Sequence, residues 1–316
     1  MINQFQNPAV LYYNGIGDHL MTLPAVRAFS GALSGRMTLV CLPIAREVFR
    51  GVGAQRSIYI GPGTDCWKGD DFDANKLAQR LQPCDLLVSL NRIFTTSMAE
   101  LLRLVRPTRS VGLFPEFTVH FPFDQTRHSV DLAFDVARYV DPQLELDDFS
   151  SPPELPDESI RTAEYFRSLL PPDSRCLAVH ADTAAEKMWP ANQFSGMLNH
   201  FLSEHHDFVV QLLGTRDLGL KDGPHARRII NCHGVPLSHS FAFVREADLF
   251  LGVDSALLHA ADLFRIPSVG LFGPSDRRQF GFRFCRHRYV TSNAPIERAH
   301  TDAVVAALEA LLEPHD

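Results

Sequence analysis

The chain has 316 residues, 45% of them hydrophobic and 21% charged, with a formal net charge of −7; at roughly 150 residues per domain that is two domains of ordinary globular composition. No stretch reaches the roughly 18 consecutive apolar residues of a membrane-spanning helix, and the start MINQFQNPAVLYY lacks the basic region and cleavage site of a secretory leader, so a cytoplasmic protein is expected. The balance of 14 basic to 16 acidic residues up to position 150, and 16 to 21 beyond it, excludes a general attraction to nucleic acid or anionic lipid.

AVLYYN (9–14) is an apolar, strand-forming run that ends on a turn. Gly15-Ile16-Gly17 then bends the chain where an open α/β sheet places its ligands, and Asp18 and His19 follow at the mouth. Leu20 stands where a dinucleotide fingerprint would need its third glycine, so the turn is not a G-x-G-x-x-G site. Asp18 is either a helix cap or a functional carboxylate. Pro24 either kinks the following helix or marks a start nearer Thr22.

MTLVCLP (37–43) and DLLVSLN (85–91) repeat the strand pattern, with LPAVRAFSGAL and FDANKLAQRL as helix-length stretches between. Alternation of this kind means βαβ units and a parallel sheet. Asp71-Phe72-Asp73 spells the D-x-D of metal-dependent glycosyltransferases of another fold but lies in the acidic loop KGDDFDAN, away from any strand end; a solvated loop is the expectation. DPQLELDDFSSPPELPD (141–157) is acidic, proline-rich and without period, and reads as a linker. We therefore expect an N-terminal domain over 1–155 and a C-terminal domain over 156–316.

The alternation resumes with strands at 175–181, 208–214, 248–253 and 266–273. Two Rossmann-like halves of this kind are expected to leave a cleft between the carboxyl edges of their sheets. In HADTAAEKMWP (180–190), Lys187 is one of only four lysines and stands on a loop after a strand, a suitable point charge for a diphosphate. In FVVQLLGTRD, Asp217 is placed to accept from ribose hydroxyls, by analogy with other nucleotide sites. In DLFLGVDSALLHAADLF a strand runs into Asp254-Ser255 and a helix opens, its free N–H groups available to a phosphate, with Ser255 and His259 on one face. The alternative for these three is a helix cap and a buried core histidine. His205-His206 lacks a partner set of metal ligands, and RRQFGFRFCRHR (277–288) mixes arginines with phenylalanines in a way that fits an anionic ligand better than nucleic acid. A closing amphipathic helix at about 302–313 is free to pack back on the N-terminal domain. Cys41, Cys66, Cys84, Cys176, Cys232 and Cys285 form no C-x-x-C pair, which argues against a zinc ribbon or redox motif.

G-I-G-D-H-x-x-x-L-P at 15–24, K-x-W-P at 187–190, A-D-L-F-L-G-V-D-S-x-x-x-H at 247–259 and I-P-S-V-G-L-F-G-P-S-D at 266–276, in that order, resemble glycosyltransferase family 9, the heptosyltransferases of GT-B fold. The resemblance implies inverting, metal-independent transfer of a heptose from a nucleoside-diphosphate sugar, of ADP or GDP type, with no cofactor besides the donor. It implies Asp18 as general base at the turn of Gly15, Gly17 and His19, and Lys187 with Thr183 on the diphosphate. It implies Asp254 on the donor sugar, and Ser255, Ala256 and His259 at the phosphate end. The nucleotide base would rest on backbone around HGVPLSH (233–239). Two positions depart from the family: Ala256 stands where many relatives have glycine, and Asp182, where a hydroxyl or small residue is usual, is expected to repel the phosphates. The acceptor is either a lipopolysaccharide core, as in the family, or a small soluble molecule with a hydroxyl or thiol nucleophile, as in aminoglycoside or lincosamide assembly. An N-terminal half with more acidic than basic residues does not favour an anionic, membrane-borne acceptor. Rival readings are an epimerase or hydrolase on the same scaffold and an inactive nucleotide-binding protein, the latter opposed by the presence of Asp18.

Overall fold

The computed structural model describes residues 5–69, 71–292 and 301–313. The chain divides into two compact units, Met1–Glu154 and Leu155–Asp316.

In the first unit, β1 (Pro8–Leu11) leads through α1 (Ile16–Ala32) to β2 (Thr38–Cys41) and β3 (Arg56–Tyr59). A short antiparallel hairpin, β4 (Trp67–Lys68) and β5 (Asp71–Phe72), precedes α2 (Ala74–Leu81), β6 (Leu86–Ser89), α3 (Thr96–Val105), β7 (Arg109–Gly112), β8 (Val119–His120) and α4 (Ser129–Ala137). The sheet is parallel, in the order β3-β2-β1-β6-β7-β8. The run of strands reverses direction between β1 and β6, which makes their carboxyl ends the switch point where such sheets hold ligands. Both strands are buried along their whole length, which is why they read as continuous apolar runs. α1 packs with α4 and α2 with α3, and Leu77, Leu81, Met98 and Leu101 share one core with Leu11, Val40 and Leu87.

The second unit runs α5 (Asp157–Ser168), β9 (Arg175–His180), α6 (Ala191–Glu204), β10 (Phe208–Gly214), β11 (Ile229–His233), α7 (Leu237–Arg245), β12 (Leu249–Val253), α8 (Ala256–Leu263), β13 (Ser268–Phe272), α9 (Arg277–Phe280), β14 (His287–Thr291) and α10 (Thr301–Glu309). Its parallel sheet has the order β11-β10-β9-β12-β13-β14, with the switch point between β9 and β12. Phe194, Phe201, Val179, Leu212 and Leu251 form its core.

Several local expectations change. α1 begins at Ile16 and continues through Pro24, so the start near Thr22 is set aside. The stretch read as a linker contains a 3-10 turn, Leu146–Phe149, in which Leu146 is buried and Phe149 meets Phe134 at 5.9 Å; Arg27 binds the carbonyls of Ser151 and Pro152. α10 spends its apolar face within its own unit: Val304, Val305 and Leu308 join the core with Phe194, and the helix packs on α6, β13 and β14. Strands β3, β8, β11 and β14, the sheet ends, escaped the apolar-run criterion because an edge strand has fewer positions to bury.

Candidate active site

Gly15 is the N-cap of α1, in the extended region at φ −60°, ψ 165°, which any residue can adopt. A Cβ placed there would meet only Asp18 Oδ2, at 3.4 Å, an ordinary contact. The protein's own packing does not demand this glycine. Asp18 stands in the first turn, where the helix dipole favours a carboxylate, yet it caps nothing. Its Oδ1 instead accepts from the Arg92 guanidinium, whose other terminal nitrogen donates to Ser129 Oγ at 3.0 Å. Arg92 follows β6 as Asp18 follows β1, so the pair sits on the switch point of the first sheet. Tyr12, Thr22, Leu90, Leu113 and Leu132 close around it. Burial, with the Asp18 charge beside it, pushes the Tyr12 phenol well above its ordinary range.

His19 turns inward. It is fully buried, its Nδ1 donating to the Gly15 carbonyl at 2.8 Å and its ring lying against Tyr12 at 5.0 Å and Phe49 at 5.4 Å. Burial lowers its pKa. It fastens the turn from behind and presents nothing to an acceptor, the position one residue on from Asp18 being on the core side of the helix. Gly17, in the first turn of α1, is half-buried.

The second constellation lies on the β9–β12 switch point. Lys187 Nζ donates to Asp254 Oδ2 at 2.7 Å, and His259 Nε2 lies 3.7 Å from Asp254 Oδ1. Burial by itself would raise the Asp254 carboxyl; His259, Lys187 and Ser275 together bring it below the ordinary carboxylate range. Thr183 Oγ1 donates to the Asp254 carbonyl at 3.2 Å. Ser255 is the N-cap of α8 by position, but its hydroxyl is bonded to His180 Nδ1 at 2.7 Å and makes no side-chain cap. Buried among the strands, His180 is lowered to about 4 and is neutral at pH 7. The cap alternative therefore fails for both Asp254 and Ser255, and the first amides of α8, with Ala256 half-buried beside them, are not taken by either side chain. A helix opening without a side-chain cap at a switch point, beside a lysine, is suited to a diphosphate.

Thr183, Lys187, Asp254, Ser255, Ala256 and His259 are thus brought together. Asp217, on the loop after β10, accepts from Gly219 N at 2.8 Å through Oδ1 and from Asn231 Nδ2 at 3.0 Å through Oδ2. Asp182 departs from expectation. It is clasped by Arg216, Nε donating at 2.8 Å, and by the backbone N–H groups of Thr215 and Arg216, each at 3.1 Å. Burial opposes its charge, but Arg216 and Thr215 prevail and hold it down at about 2. The expected repulsion of phosphates is cancelled by a cation 34 residues away.

Asp71 and Asp73 are half-exposed and also carry structural hydrogen bonds. Asp71 accepts from Thr95 Oγ1 at 3.3 Å, and Asp73 caps α2 through Lys76 N at 3.1 Å. Among the described residues no group of three or more histidine, cysteine, aspartate or glutamate side chains could hold a metal, and no helix is long and apolar enough to cross a membrane. In the 277–288 run, Asp262 holds the backbone N–H groups of Arg283, Phe284 and Cys285 at 2.8–2.9 Å, and Arg278 pairs with Asp276. The sequence reading missed Arg92 and Arg216. Each lies just past a strand's carboxyl end, the one available signal.

The model of glycosyltransferase family 9 (heptosyltransferase) matches residues 74–302. The chain belongs to that family. As a family 9 protein it is a glycosyltransferase. The match takes in the Lys187 and Asp254 motifs; the Gly15–Pro24 turn lies outside it. Among solved structures, a family 9 glycosyltransferase from Veillonella parvula superposes with a TM-score of 0.78 at 18% identity, covering 97% of this chain and 98% of the other. ADP-heptose lipopolysaccharide heptosyltransferase II of E. coli gives 0.72 at 14% identity, over 96% and 98%. E. coli heptosyltransferase WaaC, solved with ADP, gives 0.70 at 16% identity, over 96% and 99%. These likenesses establish the GT-B fold. No curated protein matches the sequence.

Proposed function

We propose that this family 9 enzyme moves a heptose or related higher-carbon sugar from a nucleoside-diphosphate sugar, of ADP or GDP type, to an acceptor nucleophile, inverting the anomeric centre and using no metal. The observation that carries the donor assignment is the Lys187–Asp254 pair beside α8, whose opening turn is left without a side-chain cap. Lys187 and the α8 amides supply positive charge where the bond from anomeric carbon to diphosphate oxygen breaks and negative charge develops. Asp254 serves the donor sugar, and Ser255, Ala256 and His259 line the phosphate end. Asp18 takes the acceptor's proton as the nucleophile attacks; Oδ1 is occupied by Arg92, so Oδ2 is the receiving atom. The E. coli enzyme solved with ADP supports an adenosine donor by analogy of fold.

For the acceptor, the more acidic first half and the commitment of Arg92 to Asp18 favour a small soluble molecule with a hydroxyl or thiol over a polyanionic lipopolysaccharide core.

The test is calorimetry of the purified chain against ADP, GDP, UDP and dTDP, with and without magnesium. One diphosphate should bind tightly without the metal, and Lys187→Ala should weaken it roughly tenfold or more, as loss of a charged hydrogen bond does. Asp18→Asn should bind that nucleotide normally while sugar transfer falls by about 10²- to 10⁴-fold. Binding that requires magnesium, or an unchanged Lys187→Ala, would end the donor assignment.

A further inference from the structure

Two ion pairs flank Thr183, and they are built alike. In each the carboxylate is sunk into the protein and the cation stands out: Asp254 is 8% exposed and Lys187 33%, Asp182 8% and Arg216 58%. An approaching anion therefore meets the positive end of both pairs, although each is neutral overall. The two cations belong to one loop system. Arg216 leaves the carboxyl end of β10, the strand beside β9, and its guanidinium reaches across the loop after β9, one terminal nitrogen lying 3.4 Å from the Thr183 carbonyl and 3.8 Å from Met188 Sδ. Thr183 in turn is bonded to Asp254.

Asp182 fixes this geometry. One oxygen takes the backbone N–H groups of Thr215 and Arg216 and the Thr215 hydroxyl; the other takes Arg216 Nε and a terminal nitrogen. Gly214 makes room for it, since a Cβ there would lie 3.1 Å from Asp182 Cβ. With the guanidinium gripped along one edge, its remaining donors keep a fixed orientation, so little side-chain entropy is lost when they engage a ligand.

We infer that Arg216 is a second phosphate-binding cation of the donor site, held ready by Asp182 so that the diphosphate lies between it and Lys187. The assignment rests on the donor site proposed above. It also accounts for a carboxylate in a phosphate loop: Asp182 anchors a guanidinium rather than repelling the ligand. A nucleoside diphosphate or inorganic pyrophosphate should engage both cations, and a nucleoside without phosphates neither.

The experiment is calorimetry of the full chain with ADP, GDP, inorganic pyrophosphate and adenosine at two salt concentrations. It compares the wild type with Arg216→Gln, Arg216→Lys, Lys187→Ala and the double variant Asp182→Asn/Arg216→Gln, and the melting temperature of each is recorded. Arg216→Gln should weaken the better diphosphate and pyrophosphate by roughly tenfold and flatten the salt dependence, with Arg216→Lys recovering part of the loss. The double variant decides the cause. It is neutral like the wild-type pair, so if Arg216 binds phosphate it stays weak; recovery of affinity would mean that Arg216 only masks Asp182, and would overturn the assignment. Wild-type affinity in Arg216→Gln, with Lys187→Ala weakened, would overturn it while leaving the donor site standing. Unchanged binding in Lys187→Ala, or no diphosphate binding to the wild type, would instead remove the donor site itself and this assignment with it.

Discussion

Asn91 is a buried amide one residue before Arg92, and it works in both directions. It accepts from Tyr13 N at 3.1 Å and donates to the Leu11 carbonyl at 3.4 Å and Ser89 Oγ at 3.2 Å, binding the chain after β1 to the chain after β6 at the edge where Asp18 and Arg92 meet. Asn91→Ala leaves the buried Tyr13 N–H unpaired, while the Leu11 carbonyl keeps the Leu90 N–H, and should cost about 2 kcal/mol in urea unfolding. The same variant should slow sugar transfer, because the carboxyl ends of β1 and β6 hold the proposed base Asp18, and leave nucleotide affinity unchanged. Equal losses of both would show that the change is global. Asn91 is visible in the sequence only as the end of DLLVSLN. Its partners lie about 80 residues earlier, and no local pattern announces them.

Among the elements, the turn out of β10 is tightly constrained. Gly214 has φ +136°, a region that side-chain-bearing residues rarely adopt, and a Cβ would press on Asp182 Cβ at 3.1 Å and His180 Cδ2 at 3.4 Å. Gly214→Ala should cost about 2 kcal/mol. It should also displace the Asp182–Arg216 clasp, weakening pyrophosphate binding in calorimetry, whereas the exposed Gly15, whose torsions are ordinary, should tolerate alanine in the unliganded protein. The helix α8 was legible as an element from ALLHAADLF after a strand. That its N-cap serine would be drawn off by His180, 75 residues earlier, was not.

For the molecule as a whole, His180 sets an acid limit. Its folded pKa, lowered by burial to about 4 from 6.5, means that the unfolded chain binds more protons between those values. Its contribution is complete above about pH 6.5 and is lost as the pH falls towards 4, an amount on the order of 3 kcal/mol. Asp182, lowered to about 2, loses its own contribution only further down, between about 4 and 2. Urea unfolding at stepped pH should show this decline in the wild type, and His180→Asn should flatten the portion between pH 6.5 and 4. An unchanged slope would mean that the imidazole is not kept neutral in the folded state.

The alternating elements, the two parallel sheets and the family motifs are legible along the chain. Those signals are local: apolar runs, turn residues, and short stretches such as Lys187–Pro190 in which each residue is read beside its neighbours. Which charges face which emerges from the folded arrangement alone: Arg92 on Asp18 at a separation of 74 residues, Lys187 on Asp254 at 67, Arg216 on Asp182 at 34. A carboxylate's effect on a phosphate depends on the cation beside it within a few ångströms, and that distance is set by strand order, which spacing along the chain does not encode.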